Sequence, residues 1–147
     1  MTKKTFRGRV VLPGELSGTA TVSRHPFNTS GSYTENMFAG RTDAAPCTDA
    51  SNKELLGKDL SGMILCTTTT VGSTMGGMCL MGMKSIGVGP QALLFSNPID
   101  TLAAAGVLMA DIDRGVTNSN KARFYTRLRL YDDDALVRIA MTGEVPY

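Results

Sequence analysis

Short apolar runs separated by glycine- and proline-bearing turns dominate this chain. Residues 6–12 and 18–24 mix β-branched and apolar side chains around Pro13-Gly14, the pattern of an antiparallel hairpin. Apolar positions then thin out. Residues 28–52 are rich in Gly, Ser, Thr, Asn and Asp, too long a stretch for a plain connection and of the kind that is functional or flexible. Regular order returns with residues 62–66 (GMILC), a run suited to a buried strand. Residues 73–83 read as a helix despite Gly76, Gly77 and Gly82, and residues 92–95 (ALLF) as a second buried strand. Asn97 is a good N-cap, Pro98 suits a first helical position and Asp100 the positive helix end, so a helix is expected from there to about Gly106. Residues 107–112 read as a third apolar strand. Strand–helix–strand–helix–strand predicts a small parallel sheet with right-handed crossovers. Residues 124–131, a turn at Asp132-Asp133-Asp134, and residues 135–141 return the C-terminus to β. The predicted fold is α/β: one domain over residues 1–147, with a small parallel sheet, crossover helices and flanking antiparallel strands in a β/β/α layering.

The chain's 147 residues suit one such domain with one sizeable core, and the 42% apolar content is that of an ordinary globular protein. A net charge of +2, with no basic cluster longer than Lys3-Lys4, argues against nucleic acid or an anionic membrane as partner. No apolar run approaches the roughly 20 residues of a membrane span. The two lysines near Met1 are not followed by the apolar stretch of a signal peptide, so the cytoplasm is the expected location.

The three cysteines, Cys47, Cys66 and Cys79, form neither a disulfide framework nor C-x-x-C metal pairs. They read as buried free thiols. The lone His25, followed by Pro26, reads as a loop residue rather than a metal ligand.

Candidate chemistry concentrates in residues 66–83, CTTTTVGSTMGGMCLMGM, where a predicted strand meets a predicted helix. Gly72-Ser73 at that junction sets amide groups and a hydroxyl at a positive helix end, which suits a carboxylate or phosphate. Strand carboxyl ends in parallel sheets are common ligand sites. The ordinary role of a serine there is an N-cap, and both readings stand. The spacing is neither a P-loop nor a G-x-S-x-G elbow, since Met75 stands two residues after Ser73. Met75, Met78, Met81 and Met83 suit core or interface packing better than a cofactor site.

Gly8-Arg9-Val10-Val11, Gly18-Thr19-Ala20 and Val22-Ser23 in the opening hairpin carry a family resemblance. So do the block from Leu56-Gly57-Lys58 to Met63-Ile64-Leu65, then Gly72-Ser73-Thr74, Gly89-Pro90-Gln91-Ala92-Leu93-Leu94 and Asn97-Pro98. On these residues the chain resembles the small swivelling domain of the aconitase X hydro-lyases, a group that includes dehydratases acting on cis-3-hydroxy-L-proline and on phosphomevalonate. The resemblance implies a heteromeric enzyme. A large subunit holds iron or an iron–sulfur cluster through its own cysteines and binds most of the substrate. The small domain closes over the site and supplies a serine as proton-abstracting base. Ser73 matches that serine, with Gly72 and Thr74 beside it as candidate substrate contacts; none of the three cysteines matches a cluster ligand. Relatives with Gly-Arg-Gly-Ser or similar carry a cation where this chain reads Thr70-Val71-Gly72-Ser73. Its absence leans toward an uncharged-tail substrate, cis-3-hydroxy-L-proline, over phosphomevalonate. A non-catalytic regulatory subunit and a stand-alone anion-binding module are the rival functions. Arg41 is a candidate carboxylate contact whose ordinary role is a solvated loop charge.

Overall fold

The computed structural model describes residues 14–113, 123–126 and 136–141. Residues 6–12, the first arm of the expected hairpin, and the Asp132-Asp133-Asp134 turn lie outside them. Strand β1 (Gly14–Val22) starts at Gly14 itself, earlier than the sequence suggests, because residues 14–19 pair antiparallel with β7 (Leu136–Met141) before residues 20–22 pair parallel with β3 (Ile64–Thr67). Strand β5 (Ala92–Phe95) lies parallel to β3 in the register Leu65↔Leu93 and Thr67↔Phe95. Strand β6 (Arg123–Thr126) lies parallel to β5. Among the described strands the resulting order is β6-β5-β3-β1-β7, with the two C-terminal strands at opposite ends of that order. A second, two-stranded parallel sheet joins β2 (Phe27–Asn28) to β4 (Thr70–Val71). The α/β class with parallel strands and connecting helices agrees with the sequence reading.

Every residue of β3 and β5 is buried, the signature of strands covered on both faces. Leu65, Leu93 and Phe95 point into a core shared with Cys79, Leu80 and Met83 of helix α2 (Gly76–Ile86), while Ile64, Cys66 and Leu94 alternate with them and are buried too.

Two elements correct the sequence reading. The polar stretch after Asn28 folds into helix α1 (Thr29–Ala39), whose buried residues Thr29, Ser32, Tyr33 and Asn36 fall at helical spacing but are mostly polar. The chain beyond it is held by side chains: the Asn36 amide donates to the Pro46 carbonyl (2.7 Å), and the Ala45 amide to Asp59 Oδ1 (2.8 Å). The second correction concerns residues 107–112. They continue helix α3 (Thr101–Asp113) rather than forming a strand, and β6 takes that strand's place in the sheet. Gly106 does not end the helix. A Cβ there would lie 2.1 Å from the Gly77 carbonyl oxygen, and one on Gly77 2.3 Å from that of Leu102, so the two glycines let α2 and α3 cross at backbone contact.

Among the described residues no helix is long and apolar enough to cross a membrane.

Candidate functional site

Three helix starts surround strand β4. At α1, the Gly31 amide donates to Asn28 Oδ1 (2.9 Å), a side-chain N-cap. At α3, Asp100 Oδ1 accepts from the amides of Leu102 and Ala103, both at 2.9 Å. Asp100 rather than Asn97 therefore does the capping; Asn97 is exposed and donates its amide to the Thr68 carbonyl (2.8 Å). The Thr70 hydroxyl donates to Asp100 Oδ2 and accepts from the Asp100 amide at 3.2 Å, which ties α3 to β4. Burial pushes the Asp100 carboxyl upward, but bonds from the Thr70 hydroxyl and the local amides outweigh it and hold the group below the usual carboxylate range.

The third start, that of α2, is built differently. The helix begins at Gly76 with Met75 at the cap position and no side-chain cap bond. Ser73 is thus not the N-cap that its sequence position suggests. It forms a turn before the helix: its carbonyl accepts from the Gly76 amide (2.8 Å) and its Oγ from the Met75 amide (3.2 Å). Gly72, Ser73 and Thr74 are all exposed.

Gly72 makes the turn possible. Its φ of 129° lies in the region that disfavours side chains, and a Cβ would sit 2.6 Å from Asn28 Oδ1. Gly76 is as constrained, since a Cβ would meet Thr29 Oγ1 at 2.4 Å. The start of α1 therefore packs directly on the backbone on both sides of Ser73. The sequence reading missed this contact. The signal was Asn28-Thr29-Ser30-Gly31, a run of cap-forming residues inside what read as a loop.

The methionines divide between core and surface: Met83 is buried, Met75 and Met81 half-buried, and Met78 exposed. Arg41 is not brought to the site. It follows Gly40 at the far end of α1 from Asn28, is exposed, and pairs with Asp43 (3.2 Å), which raises its basicity. Cys47, Cys66 and Cys79 are separately buried thiols; Cys47 Sγ donates to Ser32 Oγ (3.3 Å). Among the described residues, no group of three or more His, Cys, Asp or Glu is placed to hold a metal ion.

The fold and turn together define a small α/β domain that presents one exposed serine from the carboxyl end of a parallel strand. Residues 5–143 match the model of the aconitase X swivel domain family, and the chain belongs to that family. It is 28% identical over 107 residues to a protein of Thermococcus sibiricus named phosphomevalonate dehydratase small subunit, covering 73% of this chain and 75% of that one. A protein of the same name from Archaeoglobus fulgidus is 27% identical over 107 residues, covering 73% and 74%. The holo-form crystal structure of Thermococcus kodakaraensis aconitase X shares the fold, with a TM-score of 0.70 at 22% identity over 91% of this chain and 89% of that one. A UPF0107 protein solved by solution NMR does as well, at 0.64 and 21% over 92% and 91%.

Proposed function

We propose that this chain is the small subunit of an aconitase X-type dehydratase, a hydro-lyase active only with a larger partner subunit, and that Ser73 is its proton-abstracting base. The observation that carries the reading is the exposed Ser73 turn ahead of a helix start that no side chain caps. A serine hydroxyl is a poor base in water; a dry, positively polarised setting favours its ionised form. The partner's surface excludes water on closure, and the start of α2 supplies part of the positive potential. Ser73 then takes the proton next to the substrate carboxylate, the C–H electron pair becomes the new double bond, and the β-hydroxyl leaves as hydroxide, which the proton released when Ser73 ionised converts to water. Gly72 and Thr74, flanking Ser73, contact the substrate. An iron–sulfur cluster or iron belongs to the partner in this reading. Three separately buried thiols do not fit such a centre, and no step assigned to this chain runs through it.

The names of the two relatives favour phosphomevalonate as substrate. A specific feature favours a second reading, cis-3-hydroxy-L-proline: Thr70-Val71-Gly72-Ser73-Thr74 contains no cation to meet a phosphate. Co-expression with the aconitase X large subunit, followed by assay of the purified complex on both compounds, tests the proposal. Co-elution, and dehydration by the complex but not by the isolated chain, is the expected outcome. Separate elution at micromolar concentration, or a complex inert on both compounds, contradicts it.

A further inference from the structure

Ser30, the second residue of α1, has a buried side-chain oxygen with no hydrogen-bond partner among the described residues. Thr34 bonds the Ser30 carbonyl (2.7 Å) and leaves the hydroxyl unused. Tyr33 and Thr68 also carry buried unpaired hydroxyls, but Tyr33 belongs to the apolar core, its ring against Phe27. Ser30 is placed at the candidate site: its Oγ lies 3.8 Å from where a Cβ of Gly72 would be. The pairing Asn28↔Val71 sets the register there, and two residues beyond that pair stand Ser30 and Ser73. A buried hydroxyl without a partner costs stability, so a partner gained on assembly would be favourable.

The geometry points to Ser30 as a positioning residue for Ser73, its hydroxyl donating to the Ser73 oxygen once that oxygen gives up its proton in the closed complex. The inference rests on the proposed role of Ser73 as base. It adds a neutral donor beside a developing oxyanion, a device whose effect is largest where water is excluded. In the free chain the Ser73 oxygen accepts from the Met75 amide at 3.2 Å, and the Ser30 hydroxyl is unpaired among the described residues.

The test uses the full chain assembled with its large subunit and whichever of phosphomevalonate and cis-3-hydroxy-L-proline the wild-type complex dehydrates. Ser30→Ala is expected to lower kcat by about 10² and to leave KM within about twofold. Loss of the donor makes the Ser73 oxygen harder to ionise, so the acidic limb of kcat/KM against pH moves to higher pH. The Tm of the variant stays at or above that of wild type, because an unpaired buried hydroxyl has gone. Ser30→Thr keeps the hydroxyl and recovers most of the rate. Unchanged kcat with an unmoved limb overturns the inference. So does a loss of kcat without a limb shift, or one that tracks a fall in Tm in both variants. If Ser73→Ala abolishes turnover while Ser30→Ala behaves as wild type, Ser30 alone is excluded. If Ser73→Ala remains active, or neither compound is turned over, the underlying reading fails and this inference with it.

Discussion

The starts of α2 and α3 both adjoin β4, one through the chain and one through the Thr70–Asp100 bonds, and they solve the same problem in opposite ways. At α3, Asp100 satisfies two amides, binds Thr70, and stays anionic against the positive end of the helix. At α2, the residue at the cap position is Met75, and the serine that could cap stands ahead of the helix in an exposed turn. The first arrangement gives its polar side chain to stability. The second leaves a hydroxyl exposed, bonded to the Met75 amide, while glycines at 72 and 76 bring the start of α1 close on both sides of it.

Stability measurements can break this contrast, beginning with the largest effect. Gly77→Ala places a methyl 2.3 Å from the Leu102 carbonyl, which is backbone and cannot swing aside. Alanine's better helix propensity returns only about 1 kcal/mol. Overpacking should outweigh it, for a net loss of about 2 kcal/mol in chemical denaturation. Stability equal to wild type would mean that α2 and α3 do not cross at these glycines. Asp100→Ala and Asn28→Ala remove true caps and should each cost about 1 kcal/mol, read as a lower Tm; a variant as stable as wild type would strip that residue of its capping role.

The acid dependence is smaller. Because the folded-state pKa of Asp100 is depressed, its contribution is present above the unfolded-state value, about 3.9, and is lost as pH falls through the folded value. Asp100→Asn keeps the cap without the charge, so its Tm should fall less steeply than wild type below about pH 4. Parallel profiles would contradict the assignment.

The parallel strands were legible because apolar runs of four or five residues, bounded by turns, have few other uses: β5 is residue for residue the ALLF run. Helix α1 was hidden because its inward positions, Thr29, Ser32 and Asn36 around Tyr33, are polar and leave no hydrophobic period. Helix α3 was cut short because Gly106 reads as a terminator, whereas its reason is the contact with Gly77, 29 positions earlier in the chain, which local pattern cannot reveal. The site shows the same division. Gly72-Ser73 stood out as a strand–helix junction, but the contact of Asn28 and Ser30 with that turn depends on the two-residue pairing of β2 with β4, too short to leave a pattern.

Ser73→Ala tests the central claim most directly, read in the assembled complex as Tm and kcat together. An exposed hydroxyl that caps no helix should cost less than about 0.5 kcal/mol when removed, so the Tm should barely move. Loss of a proton-transfer group should lower kcat by about 10²–10⁴. A Tm drop equivalent to about 1 kcal/mol, with kcat kept above about a tenth of wild type, would make Ser73 a structural residue and contradict the account.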